Sequence, residues 1–319
     1  MFEYQKGIHI LDTNLWLDSP RKRELCFISH AHLDHVRRHK TIVATRATSL
    51  LSQHRVGKCK VIELEYDHWM SLDTMRLKLL PAGHILGSSQ ILIEKNGQRL
   101  LYSGDFRLHP ALTVEPFQTE QADILIMEST YGRPHYRFPS RQAVVTQLIG
   151  AISSALSNNL QPVILAYTLG KSQEIIRILT QAGFRVAVTR DIYPICQLYG
   201  ELGVKLGRYT LFEGHVPSGT VLVASPYQRK TRSIRSIARK QLFYVSGWAI
   251  DTSAKYQFGV DEVFPISDHA DYDELLEYIE MVKPQRVYLT HGFPEFIQCL
   301  RDKGMDAHHL VPPTQMDPF

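Results

Sequence analysis

Cysteine is scarce and scattered in this chain. Cys26, Cys59, Cys196 and Cys299 are its four, and none forms a Cys-x-x-Cys pair. That spacing gives no disulfide framework and no cysteine-ligated zinc site. Long apolar runs are missing too, with none near the ~20 residues a helix needs to span a bilayer, so no membrane partner is expected. The opening Met-Phe-Glu-Tyr-Gln-Lys does not read as a signal peptide, and the expected location is cytoplasmic. An excess of one charge is also absent: 36 Lys and Arg against 32 Asp and Glu leave a net +4. No global basic field therefore announces a nucleic-acid partner, although a local groove could still be basic. Repeats, low-complexity tracts and long linkers are lacking. What remains is ordinary globular composition, 44% hydrophobic and 21% charged over 319 residues. That length exceeds one comfortable core and implies two domains, or one carrying an insertion.

Histidine and aspartate, by contrast, are concentrated. His30, His32, Asp34 and His35 fall inside Ser29-His-Ala-His-Leu-Asp-His35, directly after the apolar run Leu25–Ile28. Imidazole suits zinc, and a carboxylate among imidazoles suits a second cation nearby. A strand through Ala31 would send His30 and His32 to one face, with Asp34 and His35 swung aside by the following turn. More ligand types stand at other strand ends: His84 in Pro81-Ala-Gly-His-Ile-Leu-Gly-Ser88, Asp105 in Tyr102-Ser-Gly-Asp105, and His291 before Gly292. Together these seven side chains are enough for two cations sharing Asp105.

The first part of the chain reads as short strands, among them Thr41–Arg46, Lys60–Tyr66, Met75–Leu79 and Ala122–Met127. Asn96-Gly97, between Ser89–Ile93 and Arg99–Tyr102, signals a type I′ hairpin. Near Ser140 the pattern changes to alternating helices and strands: Arg141–Leu156, Pro162–Tyr167, Lys171–Gln181, Arg185–Val188 and Ile192–Leu202, then Val221–Ala224 and Leu242–Val245. This alternation suits a parallel sheet covered by helices. A helix over Asp271–Val282, a strand over Arg286–Thr290 and a helix from Pro294 close the chain.

Two stretches could meet phosphate. Lys171, in Tyr167-Thr-Leu-Gly-Lys-Ser172, sits at a strand-to-helix junction; this is no Walker A loop, because Leu165 stands where its first glycine is required. The run Arg229–Lys240 holds six basic residues, of which Arg232, Arg235 and Arg239 would share one helical face. Arg133 and Arg137 are further candidates.

The His-x-His-x-Asp-His cluster, His84 and Ser103-Gly-Asp105 resemble the metallo-β-lactamase superfamily. Glu128 in Glu128-Ser-Thr-Tyr-Gly132, His269 in Ser267-Asp-His-Ala-Asp271 and His291 in Thr290-His-Gly292 resemble its nucleic-acid-processing β-CASP branch. The resemblance runs along nearly the whole chain. It implies an α/β fold, the metallo-β-lactamase αββα sandwich with an inserted β-CASP α/β domain. The first part would cover residues 1–139, the insert 140–245 and the last part 246–319. By the same resemblance His30, His32 and His84 hold one divalent ion, and Asp34, His35 and His291 a second. Asp105 would bridge them. Zinc is implied, with manganese as the alternative. Asp18 would support the ligand loop from behind, with Asp12 as a nearby competitor. His269 resembles the family's general acid, hydrogen-bonded by Glu128, with Asp34 completing the catalytic set. Ser246 and Trp248, in Val245-Ser-Gly-Trp248, resemble a segment of DNA nucleases of the branch, and Lys171 resembles its Gly-Lys segment.

The implied activity is phosphodiester hydrolysis, most like the bacterial DNA ligase-associated exonucleases acting from a 5′ end. A ligase or a helicase would be a partner by that resemblance alone. His291 matches the RNA-processing members, so RNA is the alternative substrate. A small-molecule metallohydrolase would need neither Glu128 and His269 nor the insert, and a non-catalytic scaffold should have lost ligands.

Overall fold

In a computed structural model that describes residues 1–251 and 253–310, the chain divides into two compact units. One comprises Met1–Arg137 together with the chain from His269 onward; the other is Phe138–Asp268.

The first unit is built on two sheets. One runs, in spatial order, Phe2–Tyr4, Ile8–Ile10, Leu15–Leu17, Leu25–Phe27, Thr41–Ala44 and Lys60–Glu63. The other has seven strands, ordered Ala307–His309, Arg286–Gly292, Ile124–Ser129, Gln98–Tyr102, Ser89–Lys95, Met75–Pro81 and Met70–Leu72. Between them lies a dry core in which Leu15, Leu17, Phe27 and Val43 meet Leu77, Leu79, Ile91, Ile93 and Leu100. The outer face of the first sheet carries the helix Arg46–Val56; Cys26, Ile28, Ile42 and Ala44 form an apolar layer there, with Val56 against it. The outer face of the second carries Tyr272–Val282 and Pro294–Asp302, whose Leu275, Tyr278, Phe296 and Leu300 pack on Leu92, Leu101, Leu125 and Leu289. Burying each sheet on both faces yields four layers, helix–sheet–sheet–helix, the αββα sandwich. Local signals hold where they were strong. Ser89–Lys95 and Gln98–Tyr102 pair antiparallel about Asn96 and Gly97, whose φ values of 51° and 76° are those a type I′ turn needs.

The second unit contains a six-stranded, wholly parallel sheet, ordered Tyr209–Leu211, Arg185–Val188, Thr220–Ala224, Gln161–Leu165, Lys240–Val245 and Glu262–Phe264. In chain order the helix Arg141–Ser157 precedes its first strand, and Lys171–Gln181 and Tyr193–Glu201 fall between successive strands, as the alternating pattern predicted. The return to the first unit comes later than the expected residue 246. Phe243, Tyr244 and Val245 pair with Glu262, Val263 and Phe264, so the ladder keeps the chain in this sheet through Phe264, and the unit ends at Asp268. Among the described residues no helix is long and apolar enough to cross a membrane.

Candidate metal centre and catalytic site

The strand expected to run through Ala31 stops at Phe27. Ile28 still donates to Val43 O at 3.0 Å, but the Ser29 N–H is taken by Asp18 Oδ1 at 2.8 Å. Losing that ladder bond peels the backbone off the sheet. His30 to His35 then form a loop closed by His35 N and Val36 N, both donating to His32 O at 3.1 Å. The ligands therefore converge by loop curvature, not by strand alternation.

His30, His32, His84 and Asp105 each bring one donor atom into a group whose members all lie within 4.8 Å of one another. His84 Nε2 stands 3.1 Å from His32 Nδ1, and Asp105 Oδ2 stands 3.4 Å from His30 Nε2 and 3.9 Å from His84 Nε2. Donors bound ~2.0–2.1 Å from one tetrahedral cation lie about 3.3 Å apart, so these spacings match a shared ion. Two buried atoms here, His30 Nε2 and Asp105 Oδ1, make no hydrogen bond among the described residues. Buried polar atoms are rarely left so, and a bound cation would satisfy both. The residues fit a divalent metal.

The other three predicted ligands gather around the same carboxylate, less tightly. His35 Nε2 lies 3.4 Å from Asp105 Oδ2, and His291 Nε2 lies 3.8 Å from Asp105 Oδ1. Asp34 Oδ2 is 3.6 Å from His35 Nε2, on a side chain that is 77% exposed. Asp105 thus stands between two sets of nitrogen donors, as a bridging ligand must.

Electrostatics treat His30 and His35 differently. Burial, aided by the neighbouring His35, pushes His30 well below the usual imidazole range and keeps it in the neutral form a metal requires. Burial opposes ionisation of Asp105, but His35 and His30 outweigh it and hold the carboxyl well below its ordinary range. His35 goes the other way. Burial disfavours its charge, yet Asp105 and Asp18 raise it well above an ordinary histidine.

Asp18, not Asp12, stands behind the ligand loop. Asp18 Oδ2 accepts from His35 Nδ1 and from Tyr102 OH, each at 2.8 Å, and from Ser29 Oγ. Asp12 is an exposed surface carboxylate paired with Lys95 at 3.3 Å. Anchored at Nδ1, the His35 ring is oriented with Nε2 toward Asp105.

Glu128 lies one residue before the end of its strand and is fully enclosed, with Oε1 accepting from Phe106 N at 2.8 Å and Oε2 from Thr130 Oγ1. Both of its oxygens lie 3.0 Å from His269 Nδ1. The His269 side chain is 20% exposed, so its ring remains reachable. Asp105, Glu128 and His269 also fall within one 4.8 Å group, which sets the Glu128–His269 pair beside the Asp105 carboxylate. His291 is fixed from the backbone: Ser129 Oγ donates to His291 O at 2.7 Å, and the ladder is irregular between Met127 and Ser129. At the next residue, Gly292, φ is +125° and a Cβ would stand 2.1 Å from Ser129 O. No other residue fits there.

The sequence and fold are similar to those of known proteins. Residues 261–312, which include His269 and His291, match the family described as "Zn-dependent metallo-hydrolase RNA specificity domain". A protein of Opitutus terrae named "Probable DNA ligase" is 34% identical over 321 residues, covering 99% of this chain and 31% of its own length. The chain belongs to the β-CASP branch of the metallo-β-lactamase superfamily. An "RNase J-like protein" of Methanocaldococcus jannaschii is 30% identical over 223 residues, covering 60% of this β-CASP chain and 52% of its own length. This chain thus spans about a third to a half of the length of these curated relatives. The crystal structure of a protein of unknown function from Enterococcus faecalis V583 shares the fold, with a TM-score of 0.59 at 16% identity, covering 90% of this chain and 79% of that one.

The predicted nucleic-acid contacts of the β-CASP unit fare unevenly. Lys171 does begin its helix, but its side chain is 1% exposed and its Nζ lies 3.3 Å from Asp268 Oδ1. A buried ion pair braces the loop, and Lys171 is not presented to a solvent-borne phosphate. Arg232 and Arg235 lie on one short helix and are exposed. Arg239 does not share its face. The helix ends at Arg235, Arg239 O accepts from Gln161 N as the chain enters the strand Lys240–Val245, and the Arg239 guanidinium donates to Asn158 O at 3.1 Å. Ser246 is buried and caps the turn Gly247–Ile250, accepting from Trp248 N at 3.3 Å, while Trp248 is half-buried. Arg133 and Arg137 lie in the first unit, each paired with a carboxylate, Glu295 at 2.7 Å and Asp273 at 2.8 Å.

Sequence reasoning passed over Ser29, Tyr102 and Thr130, whose hydroxyls orient Asp18 and Glu128. Each adjoins a singled-out residue or motif, and that adjacency was the available signal.

Proposed function

We propose that this chain is a two-metal-dependent nuclease that hydrolyses phosphodiester bonds, and specifically a 5′ DNA exonuclease serving DNA repair in the cytoplasm. One observation carries the reading: His269 Nδ1 sits 3.0 Å from both oxygens of the enclosed Glu128, beside Asp105. Lactam, lactone or thioester hydrolysis could use the metal ligands alone. A carboxylate-anchored imidazole answers a further need, a proton for a departing sugar alkoxide.

Divalent cations, zinc or manganese, held by His30, His32 and His84 and by Asp34, His35 and His291 with Asp105 between them, would acidify a water and neutralise charge on a phosphoryl oxygen. The remaining work falls to this chain's own groups. Glu128 accepts the hydrogen bond from Nδ1, fixing the His269 ring with Nε2 facing away from the carboxylate. As the phosphorus–oxygen bond breaks, the electron pair stays on the leaving oxygen and the Nε2 proton moves to it. Asp34, open to solvent, borders the approach to the second ligand set.

DNA is favoured over RNA because the match to the protein named as a DNA ligase covers 99% of the chain, insert included, while the RNase J-like match covers 60%. The ligase name of that longer relative also agrees with a ligase partner, and a helicase is the other partner of this reading. RNA cleavage is the second reading, supported by the RNA-specificity description of the region around His269 and His291. End-labelled single-stranded DNA and RNA of matched sequence, each incubated with the protein and zinc or manganese, separate the two. Release of labelled nucleotide from the DNA 5′ end is expected. Faster loss of the RNA would transfer the proposal to RNA, and turnover of a thioester or lactone with both strands intact would overturn it.

A further inference from the structure

The second unit contains a cavity of about 630 Å³ where the helix Lys171–Gln181 ends and the strands Arg185–Val188 and Tyr209–Leu211 begin. Three arginines line it: Arg177, Arg185 and Arg208. None belongs to the basic run Arg229–Lys240, and none forms an ion pair among the described residues. No Asp or Glu is among the residues lining the cavity. Three arginines bring positive charge to one hollow, and no acidic side chain of its lining offsets it.

Capping of the preceding helix does not account for the cluster. The carbonyls of its last turn already have partners: Ala182 N bonds Ile178 O at 3.0 Å, Phe184 N bonds Leu179 O at 3.0 Å, and Thr180 Oγ1 bonds Arg177 O at 3.1 Å. Arg185 is held in place by donating Nη2 to Ser218 O at 2.5 Å. It lies so close that a Cβ on Gly219 would stand 2.9 Å from the same nitrogen. A positioned guanidinium loses less freedom on binding than a free one. Beside the arginines, Phe184 and Tyr209 are half-buried members of the lining and offer ring surface. Fixed cations next to aromatic faces are the composition that binds phosphate and base together.

We infer that the Arg177–Arg185–Arg208 cavity binds a nucleoside phosphate, either one unit of a single strand or a free nucleotide. That the ligand is nucleic-acid chemistry rests on the nuclease reading; that it is a phosphate-bearing anion rests on the arginines alone. The cavity is separate in sequence from every predicted metal ligand and from Glu128 and His269.

The test compares the full-length protein with Arg177→Gln/Arg208→Gln, with Arg185→Gln, and with Arg177→Lys/Arg208→Lys, using fluorescein-labelled oligo(dT), free dTMP and inorganic phosphate as probes. Turnover of bis(p-nitrophenyl) phosphate is followed in parallel. The Gln pair should weaken binding about tenfold and flatten the dependence of log affinity on log salt by about 1.4, near 0.7 for each lost single-strand phosphate contact. The Lys pair should retain most affinity, and turnover of the small diester should not change in any variant. A loss confined to oligo(dT) assigns the cavity to the strand, and a loss confined to dTMP assigns it to a free nucleotide. Unchanged binding of both probes in the Gln pair and in Arg185→Gln overturns the inference. So does an equal loss in the Lys pair, which would mark a structural role. Phosphate competing as well as dTMP would remove the nucleoside part. Failure of the nuclease reading would show separately, as absent diester turnover with the binding losses intact.

Discussion

Asp18 accepts a hydrogen bond from His35 Nδ1 at 2.8 Å, and the same oxygen also receives Tyr102 OH. Four donors from three residues converge on this carboxylate, the other two being the Ser29 N–H and hydroxyl, so Asp18→Asn would turn one acceptor into a further donor. Asn tolerates the left-handed backbone that Asp18 adopts at φ 40°, which isolates the effect of charge and hydrogen bonding. The variant should fold and keep the ion held by His30, His32 and His84. Its affinity for the second ion should fall about 10–100-fold, the usual cost of losing a histidine's outer partner. Metal analysis against a graded chelator measures this; two ions lost together, or none, would contradict it.

Gly292 meets Ser129 so closely that Gly292→Ala forces the strand carrying His291 away from Ile124–Ser129. A strained φ together with a backbone clash should cost about 2 kcal/mol or more, lowering Tm by about 4–8 °C. Turnover should fall with it, because His291 shares the displaced segment. Calorimetry beside an activity assay checks both.

His39 has a stability role with a defined pH window. It is buried, its Nδ1 accepts from Arg23 N at 3.1 Å, and burial pushes its pKa from 6.5 down to about 4. The unfolded chain takes up a proton below pH 6.5 that the folded chain refuses until about 4. His39's contribution is therefore fully present above 6.5 and is lost as pH falls through about 4. His39→Asn keeps an acceptor for Arg23 without a titrating ring, so the stability gap between wild type and variant should narrow as pH falls across that window. Denaturant titrations at several pH values read this directly, and a constant gap would remove the assignment.

These partners show what a sequence can and cannot disclose. The Ser29–His35 cluster was legible because its ligands are contiguous, and the hairpin at Asn96-Gly97 because two residues carry the whole turn signal. Short strands in the first part and the parallel insert followed from periodicity, whereas the two-sheet sandwich came from the family resemblance and its first three strands, Phe2–Tyr4, Ile8–Ile10 and Leu15–Leu17, carried no such signal. Asp12 and Asp18 could not be separated in that way. Both adopt positive φ, at 57° and 40°, and only the tertiary approach of His35 and Tyr102 distinguishes them. Lys171 was misjudged for a related reason: its strand-to-helix junction looks like a phosphate loop locally, but the distant Asp268 decides its burial. Arg239 fell off the expected helical face because strand pairing at Lys240 overrides helical periodicity.

The central claim is that the Glu128–His269 pair supplies the leaving-group proton beside an intact metal centre. The most direct measurement is single-turnover hydrolysis of 5′-labelled single-stranded DNA by wild type and His269→Ala at equal bound metal, with His30→Ala as the variant that should lose metal. His269→Ala is expected to retain its metal and to lose roughly 100-fold or more in rate, the usual contribution of a positioned general acid. Full activity in His269→Ala at full metal content would contradict the account.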